Sequence, residues 1–177
     1  HDHLRRFISE TEADYLLKTV ALLKGPPPDA EFPSCRRSDL LSLSADDITE
    51  HWQTAAIHFD RALVFLKGEC GVLTRKWVPY ATLLPPMAAA FADLHRDFKG
   101  ADIGRGREML KLWFWCSVFG QRYETATDTK SAEDYITLKK WFAGGDPPQP
   151  VAELQKERFD GSLLRVVYRQ SSAIYRG

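Results

Sequence analysis

Between Ser44 and Gly68 the apolar residues Ile48, Trp52, Ala55, Phe59, Ala62 and Leu66 recur at steps of four, three, four, three and four. That period is the period of an α-helix, and it puts all six on one stripe. Ser44 stands where an N-cap belongs, and Asp46 and Asp47 fall in the first turn, where negative charge complements the helix dipole. The spacing therefore predicts one long amphipathic helix ending near Gly68, and a stripe that long needs other helices to cover it.

The rest of the chain supplies them. Tyr15, Leu16, Val20 and Leu23 predict a helix over residues 10–24, stopped by Gly25 and the prolines at 26, 27 and 28. Residues up to about 43 read as a connecting loop. Trp77, Pro79 and Tyr80 read as a tight corner, and Pro85 and Pro86 as the start or break of a helix that buries Met87, Phe91, Leu94 and Phe98. Over residues 105–119 one face carries Met109, Leu112, Trp113, Cys116 and Phe119, while Leu110, Phe114, Trp115 and Val118 fill much of the remainder. A helix apolar nearly all round is expected at the centre of the fold. A further helix, capped by Thr129 or Ser131, holds Tyr135, Ile136, Leu138, Trp141 and Phe142 and ends at Gly144 and Gly145. Residues 146–150 read as a loop, and Leu163, Val167, Ser171 and Ile174 predict a last helix near 162–175. No repeat and no strand is read. The expectation is all-α: a single bundle-like domain of five to seven helices over residues 1–177, and a fragment of a longer protein, since it lacks an initial Met and ends on a helical pattern without a stop.

Lys plus Arg and Asp plus Glu number 24 each, so no net field draws the chain to nucleic acid or to an anionic membrane. No run reaches the ~18–20 apolar residues that span a bilayer. The odd, widely spaced Cys35, Cys70 and Cys116 fit reduced thiols, from which a cytoplasmic setting is expected.

Catalytic, metal and cofactor sites are not expected. His51 and His58 lie two turns apart on one helix, too far to share a metal directly. His1 and His3 are a terminal pair, and His95 with Asp93 and Asp97 reads as a solvated helix face. Gly100, Gly104 and Gly106 follow a helical segment rather than the strand a dinucleotide fingerprint requires. Arg122, Tyr123, Lys130 and Asp134 form the most informative polar set. An Arg beside an aromatic can meet a phosphate, but the favoured reading pairs Arg122 with Asp134 or another carboxylate while Tyr123 closes the core. Arg165 and Arg169, one turn apart, with Lys156, Arg158 and Arg176 nearby, offer a second basic strip. If DNA is contacted, Arg122, Lys130, Arg165 and Arg169 are the expected contacts.

The run Lys111-Leu112-Trp113-Phe114-Trp115, followed by Ser117, Gly120-Gln121-Arg122-Tyr123, Lys130 and Asp134, resembles a signature of the GmrSD-like restriction proteins. The upstream run from Leu41 to Trp52, with Phe65-Leu66 and Pro79-Tyr80, is similar to the region before that signature, so the resemblance covers residues 40–142. It implies the helical middle region of a protein with a ParB/sulfiredoxin-like N-terminal domain and, often, a C-terminal HNH nuclease domain. Trp113, Trp115, Tyr123 and Asp134 would be its structural residues. The Asp-Gly-Gln-Gln-Arg motif of the nucleotide-using domain and the HNH motif do not occur in this sequence. The resemblance thus implies a non-catalytic, cofactor-free domain of a type IV defence system, partnered by other domains of its parent and by DNA. A stand-alone helical interaction module, or an enzyme whose His, Asp and Arg residues assemble only in space, are the alternative readings.

Overall fold

The computed structural model describes residues 10–28, 30–74 and 77–156, and among them it is all helical. The elements are α1 (Glu10–Lys24), α2 (Arg37–Leu41), α3 (Ala45–Gly68), a 3-10 turn (Ala81–Leu83), α4 (Leu84–Asp97), α5 (Ala101–Phe119), α6 (Thr127–Phe142) and α7 (Gln149–Lys156). The helix expected over residues 162–175, with Arg165 and Arg169, lies outside the described residues.

Local chemistry sets the boundaries. The Ser44 hydroxyl accepts from the Asp47 amide at 3.1 Å, and the Asp47 carboxylate accepts from the Ser44 amide at 2.9 Å, a reciprocal capping box that starts α3. The same carboxylate receives Lys24 Nζ at 2.8 Å, which ties the end of α1 to the start of α3. Pro85 and Pro86 occupy the first turn of α4, where their missing amides cost nothing.

The centre belongs to α4. Every residue from Leu84 to Leu94 is buried, and the helix packs against α1, α3, α5 and α6. Its alanines at 88, 89 and 90 let the neighbouring helices come close, and Phe91 meets Phe65 of α3 edge-on with centroids 5.2 Å apart. This corrects the expectation that residues 105–119 form the central helix. Trp113, Phe114 and Leu110 of α5 are fully buried, but Leu112 is 43% exposed because it continues the outward stripe of Arg105 and Glu108. Gly106 lies hard against Leu94 of α4, where a Cβ would overlap the leucine side chain.

Other expectations shift at element ends. The stripe on α3 is buried only from Ala55 onward, and Trp52 is 39% exposed. The loop before Ser44 contains the short α2, held by Ser34 and the Arg36 amide on Asp39. Helix α6 begins at Thr127, so neither Thr129 nor Ser131 caps it; the Ser131 hydroxyl instead donates to the Thr82 carbonyl at 3.3 Å. Residues 149 and 150, expected in a loop, open α7, which buries Val151 and packs on α5.

Two outcomes check this account. Phe91→Ala should lower unfolding free energy by about 3–5 kcal/mol, with Leu112→Ala close to neutral, in chemical denaturation. Equal losses would return the centre to α5. The Lys24 hydrogen bond and the capping contacts hold the Asp47 carboxyl down to about 2 from 3.8. A depressed carboxyl stabilises the fold above its unfolded value and loses that contribution as pH falls through its folded value. The difference in melting temperature between wild type and Lys24→Met should therefore be present at pH 6 and shrink as pH falls from about 4 toward 2.

Candidate functional site

The polar signature assembles around one carboxylate. Asp134, in the first half of α6, is 1% exposed and sits on the inner face with Ser131, Tyr135 and Leu138. A carboxylate so far from water needs donors, and three residues from two places in the chain, α5 and the turn after it, supply them. Trp113 Nε1 on α5 donates to Oδ2 at 3.1 Å. The Tyr123 hydroxyl donates to the same oxygen at 2.9 Å. Arg122 donates to Oδ1 from Nη2 at 2.8 Å and from Nε at 3.1 Å. Burial pushes the Asp134 carboxyl up from its usual value, while the bonds and charge of Arg122 and the donors of Tyr123 and Trp113 pull it back. The phenol of Tyr123, wholly buried beside that carboxylate, is pushed well above its ordinary value.

The turn that delivers Arg122 and Tyr123 is shaped by the backbone. It follows the C-cap Gly120 and is bracketed by two non-glycine residues with left-handed backbone, Gln121 at φ 53° and Ala126 at φ 51°. Arg122 also reaches outward: Nη2 donates to Glu133 at 3.0 Å and Nη1 to the Gln149 side chain of α7 at 2.7 Å. One guanidinium thereby joins the turn, α6 and α7.

The pairing favoured from sequence, Arg122 with Asp134 and Tyr123 closing the core, is thus present. With its side chain 8% exposed and its nitrogens engaged on two carboxylates and an amide, Arg122 faces the protein interior rather than a phosphate. Lys130 lies elsewhere on α6, with Nζ 3.4 Å from the Thr125 hydroxyl. Trp115 is outside the node: half-buried, it meets Phe114 edge-on and stacks on Phe119 at 5.5 Å.

Sequence reasoning missed a second buried carboxylate. Asp93 of α4 is 1% exposed and accepts from the Tyr135 hydroxyl at 2.9 Å, with Arg96 Nη2 2.5 Å and Lys139 Nζ 3.5 Å away. Its neighbour His95 is no solvated face either. The ring is partly buried, with Nδ1 2.9 Å from the Phe91 carbonyl and its centroid 5.7 Å from that of His58. His58 has Nδ1 2.9 Å from the Thr54 carbonyl, which makes that nitrogen the donor, and accepts from Arg61 on Nε2 at 2.9 Å. Burial holds its pKa below the ordinary value. Asp93 lies off the stripe of Met87, Phe91 and Leu94 and is buried only because α4 is enclosed on every side, so helical periodicity offered no signal for it.

Among the described residues no group of three His, Cys, Asp or Glu side chains could hold a metal, and no helix is long and apolar enough to cross a membrane. All three cysteines are buried, and burial pushes the Cys35 and Cys70 thiols up to about 12, away from nucleophilic chemistry. Gly106 serves helix packing rather than phosphate binding. The arrangement around Asp134 can fix three elements in place; it presents no open position to a substrate.

No family model matches the sequence, and no solved structure matches it. The chain is similar to an uncharacterised protein of Methanocaldococcus jannaschii, 24% identical over 178 residues that take in 96% of this chain and 28% of that protein. It therefore spans less than a third of the length of the curated relative it matches.

Removing the carboxylate strands a buried guanidinium, phenol and indole at once. Asp134→Ala should cost about 3–5 kcal/mol in denaturant unfolding. Trp113→Ala should lose a similar amount, about 3–5 kcal/mol, and Trp115→Ala distinctly less. A loss below about 1 kcal/mol for Asp134→Ala would show that the node does not hold these elements together.

Proposed function

We propose that this chain is a non-catalytic helical domain of a GmrSD-like restriction protein, which links or regulates the nucleotide-using and nuclease parts of its parent. The observation that carries the reading is the convergence of Trp113, Arg122, Tyr123 and Asp134 on one buried contact set. These are the residues of the resemblance, and their shared role here is structural: they brace α5, α6 and α7 as one unit. A domain whose signature residues brace its frame suits a spacer or transmission element, where rigidity sets how flanking domains meet. The alignment to 28% of a longer protein supports a role as one part of a larger chain. DNA contact within this reading falls to Lys130, Arg165 and Arg169, since Arg122 is turned inward.

A second reading, a helical interaction module, is favoured by one observation: Val64 and Leu73 lie exposed, at 55% and 57%, beside an open apolar groove.

Phage challenge of cells carrying the full parent protein tests the first reading. Restriction should disappear with Asp134→Ala in step with loss of the folded domain, and the purified chain should neither cut DNA nor turn over nucleoside triphosphates. A parent that restricts no phage, whatever modification the phage DNA carries, overturns the defence assignment, and hydrolysis by the purified chain overturns the non-catalytic one.

A further inference from the structure

Helices α3 and α4 run antiparallel, since Phe65 meets Phe91 at one point of their contact and His58 meets His95 at another. The two imidazole centroids are 5.7 Å apart, and both rings are partly buried. Each ring is held by its own helix. Nδ1 of His58 donates to the Thr54 carbonyl and Nδ1 of His95 to the Phe91 carbonyl, both at 2.9 Å, because a carbonyl can only accept. In a neutral imidazole the proton is thereby committed to Nδ1 and Nε2 is left as an acceptor. At His58 that acceptor is in use, for Arg61 donates to it from Nη1 at 2.9 Å. The bond exists only while His58 is neutral, since an imidazolium carries a proton on both nitrogens.

The surrounding charges give an imidazolium little relief. Asp93 of α4, the carboxylate that acts on His58, already takes the Tyr135 hydroxyl of α6 and has Arg96 and Lys139 beside it. Asp97, at the end of α4, is held by Arg96. From α5, Arg107 lies over the Phe91 ring, itself 5.9 Å from His95, and is bonded to Glu69. From α1, which packs on both helices, Lys18 is held by Asp128 and Lys24 by Asp47. These carboxylates are thus engaged by other cations, and Asp60 of α3, two residues on from His58, lies across the helix from it. Burial, aided by the charges of Arg61 and His95 and opposed by the Thr54 carbonyl and Asp93, holds His58 below its ordinary 6.5. The folded chain therefore takes up this proton later than the unfolded chain. The stabilisation is complete above 6.5 and falls as pH drops through that value toward the folded one.

We infer that His58 is a proton switch on the contact between α3 and α4: once charged it loses the Arg61 bond, stands against Arg61 and the His95 ring, and parts the two helices around this pair. Opening there uncovers the apolar face that α3 and α4 share, in a part of the molecule away from the Asp134 node. The switch is a property of this fold alone and stands apart from the restriction reading.

The test uses the full chain. Imidazole nitrogen shifts and amide exchange are followed by NMR as pH is lowered from about 8 to about 5, across the range in which histidine titrates. His58 should take its proton below the ordinary value in wild type and move up toward it in Arg61→Gln, an exposed position where the change leaves the fold intact. Corrected for the intrinsic effect of pH, exchange over residues 55–66 should rise by about tenfold in acid, while the inner amides of α6 stay protected. His58→Gln, which keeps an acceptor for Arg61 but cannot charge, should abolish that rise. A rise of the same size in His58→Gln overturns the inference, and so does a His58 midpoint that Arg61→Gln leaves in place.

Discussion

A carboxylate that has left water must be met by donors, and in this protein the Asp134 carboxylate decides where three helices go. Its oxygens take the indole N–H of α5, the phenol and guanidinium of the following turn, and through Arg122 the start of α7. None of these donors is next to Asp134 in sequence, so satisfying the charge and closing the fold are the same event. Removing the charge and its partners together, with apolar residues of matching shape, would test packing alone; removing one partner leaves the others stranded.

Asp93 repeats the theme on the central helix. It too is buried, takes a tyrosine hydroxyl from α6, and has Arg and Lys side chains close by. Among its bonds to the rest of the protein, helix α6 thus makes two between a carboxylate and a tyrosine, one donated by Tyr135 to Asp93 and one received by Asp134 from Tyr123. Apolar packing alone would permit α6 to slide or rotate by a turn on α4; directional bonds at both points fix its register.

Much of the helical frame was legible because it rests on local rules. The capping box at Ser44, the stop at Gly25 and Pro26, and the prolines before Met87 all act within a few residues, and the observed ends of α1, α3 and α4 follow them closely. The pairing of Arg122 with Asp134 was legible because charge, aromatic and turn lie twelve residues apart along one helix-turn-helix path. What escaped was long-range. Leu112 and Trp113 are adjacent and both apolar, and only the position of neighbouring helices makes one exposed and the other fully buried. Asp93 and His95 look like a polar face until α3 and α6 are laid against α4. The central role of α4 was hidden for the same reason: its alanines are weak hydrophobic signals, yet their small size is what admits four neighbours.

The turn between α5 and α6 has a cost that its bonds conceal. Gln121 and Ala126 both hold a left-handed backbone that a side chain disfavours by roughly 1–2 kcal/mol per residue. A glycine would adopt either conformation freely, and neither position buries its side chain. The native sequence therefore leaves stabilisation unused in the very loop that carries its most connected residue. The turn is kept in shape from outside, by Asp134 and Gln149 gripping Arg122, rather than by its own conformational preference. Release that grip and the loop has reason to relax, and with it goes the bond by which the turn holds Gln149 at the start of α7.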